Sequence, residues 1–246
     1  MNLFYELHKD IPREGPGNNE STRKAYQLIQ KYVSKPSILD IGCGPGMQTL
    51  ELAALTEGTI LATDMNEGFL DVLRGEVERR GLSGKVSVEK ANMKALPYQA
   101  EEFDVIWSEG AIFIIGFEKG LREWRKYLKD EGILVVSELS WLKENAPAEP
   151  VDFWNNAYPE ADTIEGNTQK AEKNGYDVID IFVLPEAGWW EHYYNPLEKR
   201  IAILREKYKS NQEALNILEE FQTEIDLYRN YSDYYGYVFY LLRKKG

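Results

Sequence analysis

Apolar residues in the first half of the chain come in short runs separated by longer stretches of helical spacing. Ile38, Leu39 and Ile41, interrupted only by Asp40, have the pattern of a buried strand. Segments 58–63, 86–90, 103–107 and 132–139 read as four further strands. Between them the apolar spacing changes to three and four, as in Phe69, Leu70, Leu73 and Val77, or Leu121, Trp124 and Leu128. Strands alternating with helices predict a parallel sheet with helices on its faces. Ahead of the first strand, Ala25, Tyr26, Ile29 and Val33 lie on one face of a helix that Ser21 or Thr22 would cap. Residues 1–20 carry Pro12, Gly15, Pro16 and Gly17 and read as a loop.

Beyond residue 140 the pattern changes. Pro147, Pro150 and Pro159 mark a loop with a short helix, 163–174 reads as a helix, and 176–184 and 237–242 read as a sixth and a seventh strand. Helices are expected near 197–208 and 214–228, between those last two strands; the second carries an apolar stripe of Leu215, Leu218, Phe221, Ile225 and Tyr228. The run Trp189-Trp190-Glu191-His192-Tyr193-Tyr194 follows Pro185 and Gly188 and is expected on a loop, either as a lid or packed under those helices.

A chain of 246 residues is long enough for one domain with a full core. Its net charge of −12 has the wrong sign for a protein that tracks phosphate backbones, so nucleic acid is not expected as a partner. No apolar run has the length of a membrane span and residues 1–10 lack the apolar core of a secretion signal, so a cytoplasmic protein without membrane partners is expected. One cysteine, Cys43, and two distant histidines, His8 and His192, give neither an intramolecular disulfide nor a clustered metal site.

The chemistry is concentrated after the first strand, where Gly42, Gly44 and Gly46 precede a helical segment. A strand, a glycine turn and a helix bring backbone N–H groups against a ligand with no side chain in the way. A dinucleotide fingerprint would place its third glycine at 47, where Met47 stands. Asp40-Ile41-Gly42-Cys43-Gly44-Pro45-Gly46 instead resembles the first motif of the class I, Rossmann-like S-adenosylmethionine-dependent methyltransferases. The resemblance covers roughly residues 37–140. It implies a doubly wound, mostly parallel, seven-stranded α/β sheet with a helical cap inserted between the last two strands. We expect one methyltransferase domain over 1–246. Within it, 1–36 is an N-terminal loop and helix, 37–140 the cofactor-binding core, and 141–246 the acceptor-side cap with the last two strands. A homodimer interface is the alternative use of the cap helices.

The resemblance also assigns a cofactor site for S-adenosyl-L-methionine. Asp40, Gly42, Cys43, Gly44 and Gly46 form its glycine turn. Asp64, which ends the second strand 24 residues beyond Asp40, is placed to accept both ribose hydroxyls, with Met65 beside it. In the third motif, before Leu96-Pro97-Tyr98, Asn92 stands where the family carries an acid; its amide oxygen still accepts from the adenine amine, and the Met93 N–H faces a ring nitrogen. Ser108 and Glu109 arrive at the carboxyl edge on the fourth strand. Glu109 and His192 are the two candidate bases, and a small-molecule acceptor is expected against Trp189, Trp190, Tyr193, Tyr194 and Arg13. The alternatives are a protein or RNA methyltransferase of the same fold, or a cofactor-binding module without turnover.

Overall fold

The computed structural model describes residues 3–246, and its centre is the segment that the sequence marks first. Strand β1 (Ser37–Ile41) pairs in parallel with β2 (Thr59–Asp64) on one side and β4 (Phe103–Glu109) on the other. Strand β3 (Val86–Lys90) extends the sheet beyond β2, and β5 (Leu128–Trp141) beyond β4. Strand β8 (Tyr235–Lys244) is inserted antiparallel between β5 and β7 (Tyr176–Val183), giving the order β3-β2-β1-β4-β5-β8-β7. A two-residue strand, β6 (Asp162–Thr163), also pairs with β5 and adds to the seven expected strands. The fold is therefore the Rossmann-like α/β sheet that the family resemblance implies.

Helices cover both faces. One core, built on Ile38, Val105, Val135 and Phe239, lies under α2 (Asn19–Ile29), α3 (Met47–Leu55) and α4 (Glu67–Arg79). The other, built on Leu39, Ile106, Val136 and Val238, lies under α5 (Phe117–Trp124), while α6 (Ala148–Ala157) and α7 (Ile164–Lys173) lead on to β7. The insertion before β8 holds α8 (Ala187–Trp189), a π-helical turn (Trp190–Tyr194), α9 (Asn195–Lys207) and α10 (Gln212–Tyr231), which join the first core through Leu197, Ile201, Leu218 and Tyr228.

Three local expectations are corrected. Residues Leu3–His8 form a helix, α1, inside the segment read as a loop. Leu7 is fully buried, and Lys207 and Tyr208 both donate to the Glu6 carboxylate, so tertiary packing on the cap supplies what six residues lack in intrinsic helicity. The cap of α2 is Asn18, whose Oδ1 accepts from the Ser21 N–H at 2.8 Å, in place of Ser21 or Thr22; Thr22 is turned inward to Glu109. Finally, the aromatic run at 189–194 is helical and continuous with α9, not a loop. Trp189, Tyr193 and Tyr194 are buried, and Trp189 stacks on Tyr228 of α10 with ring centroids 4.0 Å apart, an apolar gain that overrides the preceding Pro-Gly signal.

Candidate active site

The carboxyl ends of β1, β2 and β4 open into a cavity of about 740 Å³, closed from above by the loop between α1 and α2. Parallel strands direct their carboxyl ends to one edge, and the crevice where the strand order reverses is the natural ligand site of such a sheet. Here the reversal lies between β1 and β4.

The turn after β1 is shaped by backbone chemistry. Gly42 has φ +73°, and a Cβ there would lie 2.5 Å from the Ala111 side chain, so the β1 and β4 turns approach only because it is glycine. Its N–H and that of Cys43 both donate to Thr63 O, locking the turn to β2. Gly44 (φ +54°) donates its N–H to Asp64 Oδ2 at 3.0 Å, and Asn66 donates to Asp64 Oδ1 at 2.8 Å. Asp64 is thus oriented at the cavity wall with lone pairs left for a ligand. Asp40 has another role. It is fully buried behind the turn, accepting from Thr49 Oγ1 at 2.5 Å and Gln48 Nε2 at 3.4 Å, and burial pushes its carboxyl up to about 7. It ties the turn to the first turns of α3. Gly46 sits at the N-terminus of α3 against Leu73, also off the cavity wall.

Nine of the expected site residues line this cavity: Arg13, Gly42, Cys43, Gly44, Asp64, Met65, Asn92, Met93 and Glu109. Asn92 holds its Oδ1 in an Asx turn, accepting from the Lys94 N–H at 3.0 Å, and Trp124 Nε1 donates to Met93 O at 3.1 Å. The other expected residues lie elsewhere. Ser108 is fully buried, and its hydroxyl donates to Ile41 O at 2.9 Å, so it stitches β4 to β1. Among the described residues, Trp189, Trp190, His192, Tyr193 and Tyr194 do not contribute to the cavity wall. Trp190 leans towards Tyr228 and Tyr194, and Arg229 lies over its ring.

Glu109 sits at the inner end of the cavity with its side chain shielded from solvent. Arg13 Nη2 donates to it at 2.7 Å, Thr22 Oγ1 at 2.7 Å and Trp107 Nε1 at 2.9 Å. Three donors, two of them from the N-terminal segment, make this carboxylate the anchor that fastens the segment over the sheet. Loop residue Glu14, which no motif of the sequence marks, lines the cavity above Gly44. Phe4, Phe113 and Ile114 form the outer, partly exposed rim. The rim was not legible in the sequence because Phe113 and Ile114 belong to a single 3₁₀ turn with no periodicity, and Phe4 to the helix read as a loop.

Comparison with known proteins addresses this arrangement. Residues 38–132 match the family model described as "Methyltransferase domain", the segment that carries the glycine turn, Asp64, Asn92 and Glu109. A curated relative, "Methyltransferase GfsG" from Streptomyces halstedii, is 32% identical over 187 residues, covering 73% of this chain and 67% of its own length. The chain belongs to the class I S-adenosylmethionine-dependent methyltransferases. It spans 42% and 50% of the length of two other curated relatives, so the likeness there is partial. Among solved structures, YjhP from E. coli superimposes with a TM-score of 0.84 at 21% identity over 99% of both chains. A methyltransferase from Thiobacillus denitrificans, in complex with S-adenosylhomocysteine, does so with a TM-score of 0.83 at 18% identity over 100% of this chain and 99% of its own. S-adenosylmethionine is the cofactor of this methyltransferase, and the chain fits it: a turn with glycines at 42 and 44 faces the cavity, and an oriented carboxylate ends the second strand. Among the described residues no cluster of His, Cys, Asp and Glu has the arrangement of a metal site, and no helix is long and apolar enough to cross a membrane.

Proposed function

We propose that this methyltransferase modifies a small-molecule acceptor, at nitrogen in preference to oxygen. The observation that carries this reading is the form of the cavity. Its 740 Å³ runs from the glycine turn to the Phe4, Phe113 and Ile114 rim under a loop anchored at Glu109, a space suited to a cofactor and one small partner. The cofactor supplies an electrophilic methyl group on a sulfonium. In this reading Gly42, Gly44, Asp64, Asn92 and the Met93 N–H hold the donor, and the rim with Arg13 holds the acceptor.

The preference for nitrogen follows from the two candidate bases. Glu109 has its oxygens occupied by Arg13, Thr22 and Trp107, and His192 lies off the cavity. An amine can release its proton to water before it attacks, whereas an alcohol needs a positioned base. The residues then contribute alignment and exclusion of water. The aromatic run at 189–194 supports the wall from behind and is not part of the acceptor site in this reading. Methyl-labelled cofactor, offered with a pool of small amines and alcohols, separates the possibilities. Label should appear in the amine fraction, with a rate that climbs towards alkaline pH. Label in added protein or RNA, or in alcohols alone, would overturn the proposal.

A further inference from the structure

Of the acidic side chains on the cavity wall, Glu14 is the one whose oxygens the described residues leave without a donor. Both its oxygens are shielded from solvent and have no hydrogen-bond partner. Burial, with Asp64 nearby, pushes its carboxyl up to about 9. Its neighbour Arg13 is committed to Glu109 at 2.7 Å, and the other basic residue of the cavity wall, Lys94, stands after β3 at the Asn92 end. A buried acid without donors is costly to the fold, so its placement here points to a ligand that brings the positive charge. Its position narrows the ligand. A Cβ built on Gly44 would lie 3.2 Å from Glu14 Cγ, so the carboxyl stands directly over the glycine turn, next to Asp64.

We propose that Glu14 is the counter-charge for the α-ammonium of the cofactor's methionyl group. S-adenosylmethionine carries two cations in that region, the ammonium and the sulfonium, and only the ammonium keeps its charge through methyl transfer. A carboxylate against the sulfonium would hold the ground state more tightly than the transition state and so oppose the reaction. Paired with the ammonium, Glu14 binds donor and product alike. It also places the donor's charge under the same loop that Arg13 fastens to Glu109. The N-terminal loop is thereby a reader of the cofactor's amino-acid end.

The test is calorimetric and needs no acceptor, so it is independent of the acceptor class. Affinities of the parent and Glu14→Gln are measured for S-adenosylmethionine, S-adenosylhomocysteine and 5′-methylthioadenosine, which lacks the amino-acid tail. Loss of a charge-assisted contact should weaken the first two by about 10- to 100-fold and leave the third unchanged. Weakening of S-adenosylmethionine alone would assign Glu14 to the sulfonium and overturn the proposal, as would equal weakening of all three or none. The melting temperature of the cofactor-free Glu14→Gln protein guards against a merely structural effect. It should equal or exceed that of the parent, since an unpartnered buried acid contributes no stability, and a fall would count against the assignment.

Discussion

At the scale of single residues, the site separates into groups that face the ligand and groups that hold them there. Asp64 ends β2 and Asp40 stands one residue before the end of the adjacent β1, yet one lines the cavity and the other is sealed behind the turn. Replacing Asp64 with Ala removes the acceptor for the ribose hydroxyls. Cofactor affinity should fall by about 1–3 kcal/mol in calorimetry with the fold intact by circular dichroism. Gly44→Val places a branched side chain at φ +54° beneath Glu14, so binding should be abolished even if the protein folds. The glycine positions were legible in the sequence because a turn with positive φ packed against neighbouring atoms admits no other residue, and Asp64 through the family resemblance. The roles of Ser108 and Asp40 were not, because a buried hydroxyl or carboxylate on a strand end has the same one-letter signature whether it faces the ligand or the turn. For Glu109 the sequence showed an acid at the right edge; its three donors lie on β4 itself and on a segment some 90 residues away, which no local pattern reports.

At the scale of elements, the strands of the parallel half fall where period and composition put them: the central β1 and β4 are buried on both faces and read as apolar runs, while the edge strand β3 alternates buried or half-buried with exposed positions over 86–89. The aromatic segment shows the limit of that reading. Pro185 and Gly188 signal a turn, but the following side chains are spaced so that Trp189, Tyr193 and Tyr194 meet the core together, and tertiary burial makes the segment helical. Trp189→Ala should therefore lower unfolding stability by about 3–5 kcal/mol in denaturant titration. It should leave the cofactor affinity of the folded protein little changed, because the ring stacks on Tyr228 and does not reach the cavity. Helix α1 was hidden for a related reason: six residues give too little periodicity to read, and its partners Arg200, Lys207 and Tyr208 come from the far end of the chain.

At the scale of the whole molecule, α1 carries a titratable group with a global effect. His8 is buried between Phe4, Tyr193 and Phe221, and desolvation lowers its pKa to about 4, only partly opposed by its bond to Phe4 O. The unfolded chain, with the ordinary value near 6.5, binds the proton first. Stability is therefore full above about pH 6.5 and is lost as pH falls towards 4, by about 3 kcal/mol for this residue. Chemical denaturation of the parent and of His8→Phe at a series of pH values isolates this contribution, because the raised carboxyls of Asp40 and Glu14 titrate with the opposite sign in both proteins. The stability of the parent relative to His8→Phe should fall between pH 6.5 and 4; a difference that stays constant across the window would contradict the buried, neutral histidine.

The position of β8 has a consequence for biosynthesis. It is the last strand of this sheet to be made, yet it lies inside the sheet, pairing with β5 through nine residue positions and with β7 through seven. Until it emerges from the ribosome, the growing chain has two hydrophobic strand edges with nothing between them. Residues 184–234, made in the interval, carry α8, α9 and α10 and form a long connection that must close before β8 can pair. The nascent protein is thus a parallel half attached to a half with unpaired strand edges, which stalled synthesis would leave prone to aggregation.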